Sequence, residues 1–83
     1  MSENRLLVEN KLIILYLVKK MDVPLSESEI RQFVLERRYM DFFAVQQYLA
    51  ELTESSLLEV TQENNATRYT ITEDGDATLG YFV

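Results

Sequence analysis

The chain contains no cysteine and no histidine. Without cysteine there is no disulfide framework and no thiolate chemistry. Without histidine the common zinc sets and the Ser–His or Cys–His nucleophile pairs are out of reach. Proline occurs once and glycine twice, too few for a low-complexity or disordered chain, and no Gly-rich phosphate loop exists. Basic residues are also scarce. Eight Lys and Arg stand against fourteen Asp and Glu, for a net charge of −6. That balance works against nonspecific attraction to phosphate or anionic lipid. The longest apolar run, residues 12–18, is seven long, against the ~20 needed for a membrane span. The start Met1-Ser2-Glu3-Asn4 has neither a basic n-region nor a small-residue cleavage site, so no signal peptide is expected and a reducing, cytoplasmic setting suits the chain.

What is present suffices for one domain. The 83 residues are 47% hydrophobic, enough for a core, although a chain this short buries only ~60–65% of its unfolded surface.

The organising stretch is 41–72. Within 41–55, Phe42, Val45, Tyr48, Leu49 and Leu52 recur at spacings of three and four, which predicts one apolar stripe of an amphipathic helix. Asp41 stands where it can cap the first free N–H groups. The opposite face carries Phe43, Gln46, Gln47, Ala50, Glu51 and Glu54. Core packing is the ordinary role of such a stripe, whereas Phe43 on the polar face fits either a groove filler or an anchor for a partner.

Residues 57–72 alternate instead. Leu58 and Val60 oppose Glu59 and Thr61, and Tyr69 and Ile71 oppose Arg68 and Thr70. This predicts two half-buried strands, joined by a turn at Asn64-Asn65, where left-handed backbone is tolerated. A ribbon of two strands is marginal alone, so helices must lie beneath it.

Upstream, 9–21 reads as a first helix. Leu12, Ile13, Leu15, Tyr16, Leu17 and Val18 place apolar side chains nearly all round it, which predicts burial on most sides. Residues 1–8 read as a frayed arm. Pro24 ends the helix. Ser26-Glu27-Ser28-Glu29 is a capping box that opens a second helix over 26–37, with Ile30, Phe33 and Val34 inward. Downstream, Thr72 caps a fourth helix over 73–83, whose first turn is acidic. The carboxylates at 73, 74 and 76 lack the alternation of a calcium loop, so no metal site is expected. No nucleophile, base and orienting group are combined, so neither catalysis nor a cofactor is expected. The apolar end Leu79-Gly80-Tyr81-Phe82-Val83 reads as a dimer seam or a junction to a further domain. A homodimer through the terminal segments 1–12 and 76–83 is therefore expected, and no membrane partner. Together these elements predict an α+β winged helix-turn-helix: a three-helix base, a two- to three-stranded antiparallel wing and a fourth helix over a single domain spanning 1–83.

With those elements placed, residues 45–60 and the segment Arg68-Tyr69-Thr70-Ile71-Thr72-Glu73-Asp74-Gly75 resemble winged-helix transcription regulators of the PadR and MarR type. Glu9-Asn10-Lys11-Leu12, Ile14-Leu15-Tyr16 and Pro24-Leu25 more narrowly resemble the start of a bacterial family of unknown function whose members continue into a second domain. The likeness covers about residues 9–80. It implies double-stranded DNA as partner, with the 41–55 helix in the major groove. Base contacts would come from Phe43, Ala44, Gln46 and Gln47, and phosphate contacts from Arg37, Arg38 and Arg68. Regulators of this type carry several Lys or Arg on the reading helix and wing; this chain carries Arg68 alone there. A winged helix that docks a protein instead of DNA is the competing expectation.

Overall fold

A computed structural model describes residues 2–37 and 40–82, with side chains from Val8 onward. The fold is the expected α+β winged helix-turn-helix. Its elements are α1 (Ser2–Met21), β1 (Leu25–Ser26), α2 (Glu27–Glu36), α3 (Phe42–Glu54), β2 (Leu58–Glu63), β3 (Ala66–Ile71) and α4 (Glu73–Phe82).

Local chemistry accounts for the boundaries. α1 begins at Ser2 and not at residue 9, so the expected frayed arm is corrected for 2–8. No Pro or Gly interrupts that segment, and Glu3, Arg5, Leu6 and Leu7 are good helix formers. Asp22 takes a left-handed φ of 55° just past the helix. The capping box of α2 is complete: the Glu29 N–H donates to Ser26 Oγ at 3.1 Å, and the Ser26 N–H donates to Glu29 Oε1 at 2.9 Å. α3 ends in a Schellman-type closure, with Leu57 N–H donating to the Leu52 carbonyl and Ser56 N–H to that of Thr53. Ser56 holds the left-handed position, φ 63°, usually given to glycine. Thr72 caps α4, its Oγ1 accepting from the Gly75 N–H at 2.9 Å.

The sheet is antiparallel in the order β1-β3-β2. Leu58 pairs with Ile71, Val60 with Tyr69 and Glu63 with Ala66. Between the last pair, Asn64 and Asn65 both adopt positive φ, 52° and 66°, as a two-residue type I′ turn requires. β1 adds Leu25 opposite Tyr69 and Ser26 opposite Arg68, which ties the wing to the start of α2. β2 has β3 as its sheet neighbour on one side only, so its other side is a sheet edge.

The core joins Ile14, Leu15 and Val18 of α1, Ile30 and Val34 of α2, Val45, Leu49 and Leu52 of α3, Leu58 of β2 and Leu79 of α4. Two inward assignments are corrected. Phe42 is 40% exposed and Tyr16 50%. Phe42 is the first residue of α3, so it stands at the end of the stripe, beyond the reach of the core. Tyr16 lies on the outer side of α1, where no element of the fold covers it. Among the described residues one polar side chain is buried deep in this packing: Asn10, whose amide donates to Tyr48 Oη at 3.4 Å across α1 and α3. No described buried side-chain N or O lacks a partner.

Candidate nucleic-acid interface

The site is built on the first two turns of α3. The Asp41 carboxylate accepts from the Ala44 N–H at 2.8 Å. This starts the helix at a fixed angle and satisfies one of its orphan donors. Phe43 is 78% exposed, and Gln46 and Gln47 are exposed beside it. Ala44 is half-buried and packs on the core. Phe42 and Phe43 meet edge to face at 5.6 Å between centroids. The Arg31 guanidinium lies 4.6 Å from the Phe42 ring centre. That stack was not anticipated, because the expected stripe assigned Phe42 to the core. The signal available was its place as first residue after the cap.

Gln47 is already engaged. Its Nε2 donates to Glu51 Oε2 at 3.0 Å, and Glu51 Oε1 meets Lys11 Nζ at 2.8 Å. This chain ties the exposed face of α3 to α1. The Lys11 contact first, and the Gln47 amide second, hold the Glu51 carboxyl below its ordinary pKa. Gln46 makes no comparable contact with an acid.

The arginines divide. Arg37 is the C-cap of α2, its guanidinium 3.8 Å over the Phe33 ring. Arg68, on β3, has its Nη1 3.4 Å from Glu29 Oε1 in the first turn of α2. The two are thus at opposite ends of α2, a ten-residue helix and so ~15 Å long. Arg31 meets Glu27 at 3.5 Å. Arg38 lies outside the described residues. The structure therefore gathers Phe43, Gln46 and Gln47 on one face and sets Arg37 and Arg68 apart from each other.

The Ser26 N–H, the Ser26 hydroxyl and, behind them, Arg68 hold the Glu29 carboxyl below the usual range. Burial, with the Glu27 charge behind it, raises the Tyr69 hydroxyl. A carboxyl whose folded pKa is depressed adds stability above its unfolded pKa and loses it as the pH falls through the lower folded value. The urea midpoint is therefore expected to fall on acidification from about pH 5 to about pH 3. A Glu29→Gln/Glu51→Gln variant should show a shallower fall over the same window. An unchanged slope in that variant would assign the acid sensitivity to other groups.

Among the described residues no cluster of three or more Asp and Glu could hold a metal ion, and no helix is long and apolar enough to cross a membrane. The family described as "Domain of unknown function (DUF4364)" matches residues 10–83. No curated protein and no solved structure matches the chain.

Proposed function

The chain belongs to the DUF4364 family, and from its fold and the exposed face of α3 we propose that it is the DNA-binding domain of a bacterial, cytoplasmic transcription regulator akin to the PadR and MarR types. The reading makes it non-catalytic and without a cofactor. The observation that carries it is the exposed front of α3, where Phe43, Gln46 and Gln47 stand on the second helix of a helix-turn-helix next to a hairpin wing. A helix so placed fits the major groove, with its N-terminal residues towards the base edges. The Gln46 amide matches adenine N6 and N7, and the Phe43 ring matches a thymine methyl. Gln47 reaches a base only by leaving Glu51.

The arginines supply the phosphate contacts at small cost. Exposed ion pairs like Arg68–Glu29 are worth roughly 0–1 kcal/mol, so a phosphate can take the guanidinium over. Arg37 lies over an aromatic ring, a contact worth ~0.5–1 kcal/mol at an exposed site. Two copies, joined through the terminal segments 1–12 and 76–83, double these contacts. Val8, Tyr81 and Phe82 are exposed there.

Selection from a random duplex library, followed by anisotropy titration of the selected duplexes, tests the reading. With about three arginines per subunit, the log–log salt slope should be shallow, near −5 for a dimer. Arg68→Ala should weaken all duplexes alike and reduce the slope by about one per site. Phe43→Ala and Gln46→Ala should instead flatten the preference among duplexes. Failure to bind any duplex at low salt and tens of micromolar protein would sink the proposal.

One observation favours a second reading. Phe42 and Phe43 form an exposed aromatic pair with Arg31 stacked on it, a combination of residue types found at protein-binding hot spots. On this reading the same face docks a protein. Affinity capture that returns one stoichiometric protein and no nucleic acid would support it.

A further inference from the structure

Gln46 and Gln47 are neighbours of one chemistry on the exposed face of α3, and the fold treats them differently. The Glu51 carboxylate stands one turn beyond Gln47 and is engaged at both oxygens. Oε2 accepts from Gln47 Nε2 at 3.0 Å, and Oε1 meets Lys11 Nζ at 2.8 Å. Gln32 and Glu36 repeat the same spacing on α2, where the amide donates to the carboxylate at 3.2 Å, and among the described residues no cation meets Glu36. A glutamine–glutamate pair so spaced on one exposed helix is weak. What sets Glu51 apart is the anchor from a second helix. Lys11 belongs to α1, and the side chains of Lys11 and Glu51 are only 26% and 32% exposed. A carboxylate held from that side does not swing into a groove with Gln47, so the amide must give it up to reach a base. Giving up a hydrogen bond to a charged group loses about as much as a bidentate contact with adenine returns, each a factor of about ten or more.

We propose that Lys11 and Glu51 determine specificity at the α3 face by holding the Gln47 amide away from the base edges. Both are positioning residues that act through Gln47. The domain then reads with Phe43 and Gln46 and stays nearly indifferent to the base pair that faces residue 47. This rests on the DNA reading and says which of the two glutamines carries the preference. The range of sites accepted is thereby set in part from α1, a helix other than the one that enters the groove.

Two measurements on the full chain test it. In the free protein, nitrogen relaxation of the side-chain amides should show Gln47 more ordered than Gln46. Lys11→Met and Glu51→Ala should each bring Gln47 to the mobility of Gln46. Lys11→Arg, which keeps the cation, should retain most of the order. The second measurement is anisotropy titration of duplexes varied one base pair at a time around the selected sequence. In the parent, Gln47→Ala should change no preference by more than about twofold. Glu51→Ala removes a negative charge and so tightens every duplex alike, which makes the ratio between duplexes the quantity to read. At one base pair that ratio should rise about tenfold in favour of A·T, and Glu51→Ala/Gln47→Ala should abolish the rise. A Gln47 amide as mobile as that of Gln46 in the parent, one left ordered by Lys11→Met, or a ratio unmoved by Glu51→Ala would each overturn the inference and leave the DNA reading intact. Absence of binding by the parent and every variant would remove the DNA reading, and the inference with it.

Discussion

Replacing Gly75 by alanine is expected to remove about 3 kcal/mol or more of stability and to lower the melting temperature by about 15 °C. Gly75 is the third residue of α4, at the point where that helix crosses the connection from α3 to β2. A Cβ there would be driven into the carbonyl oxygen of Leu57, with the carbonyl carbon 3.1 Å away and Ile71 Cγ1 at 2.8 Å. The obstruction is backbone, and it is anchored. The Leu57 carbonyl accepts from the Thr72 N–H at 3.2 Å and lies 3.1 Å from Thr72 Oγ1, while the Leu57 N–H is bound to Leu52. Relief would have to shift either the helix start or the chain reversal after α3. Helix propensity alone favours alanine by ~1 kcal/mol, so the clash must outweigh a gain. Gly80→Ala provides the control in the same helix. Nothing lies within 4 Å of its Cβ position, and a gain of about 0.5–1 kcal/mol is expected. Thermal melts of the two variants should move in opposite directions. A Gly75→Ala protein as stable as the parent would show that the crossing can relax.

Leu49→Ala should cost about 2–5 kcal/mol, a large part of the ~5–15 kcal/mol that holds a domain together. Leu49 is 1% exposed and belongs to the core cluster on α3. Its removal costs the transfer energy of the lost carbons and opens a cavity whose walls collapse only partly. Urea titration should show a lower midpoint with an unchanged slope. A loss below about 1 kcal/mol would mean that the three helices re-pack with ease. The contrast with Phe43 bears on function. At 78% exposure, Phe43→Ala should change stability by less than about 0.5 kcal/mol. Any effect of that substitution on binding then reflects the surface and not the fold.

The parts of the fold legible in the sequence were those fixed by neighbours within about four residues. Ser26 with Glu29, Asp41 with Ala44, Thr72 with Gly75 and the Asn64-Asn65 turn each depend on local chemistry, and each forms as the residues imply. The alternation of 57–72 likewise settles which side of the hairpin meets the helices. What escaped depends on partners distant in the chain. Lys11 meets Glu51, and Arg68 meets Glu29, and no spacing rule brings such pairs together. Periodicity also overstated burial. It assigns a phase to each side chain but not an end to the core, so Phe42 shares the stripe of buried residues and still faces water, and an apolar run nearly all round α1 gave no sign that Tyr16 would lie on its uncovered side. Gly75 read as a residue of the fourth helix, and the carbonyl pressed against it became visible only in three dimensions. Of the candidate site, the exposed face of α3 followed from the helical phase. The separation of Arg37 from Arg68 by the length of α2 did not, because charge counts carry no distances.

The open side of β2 has a consequence for the behaviour of the chain at high concentration. An unpaired strand edge is a template on which a strand of another molecule can add, and so a route to aggregation. This one is six residues long, but Glu59, Gln62 and Glu63 are all exposed on it. A neighbouring hairpin approaching in register would bring carboxylates against carboxylates. The acids that make the wing a poor match for phosphate are thus the ones expected to oppose strand addition at its open edge.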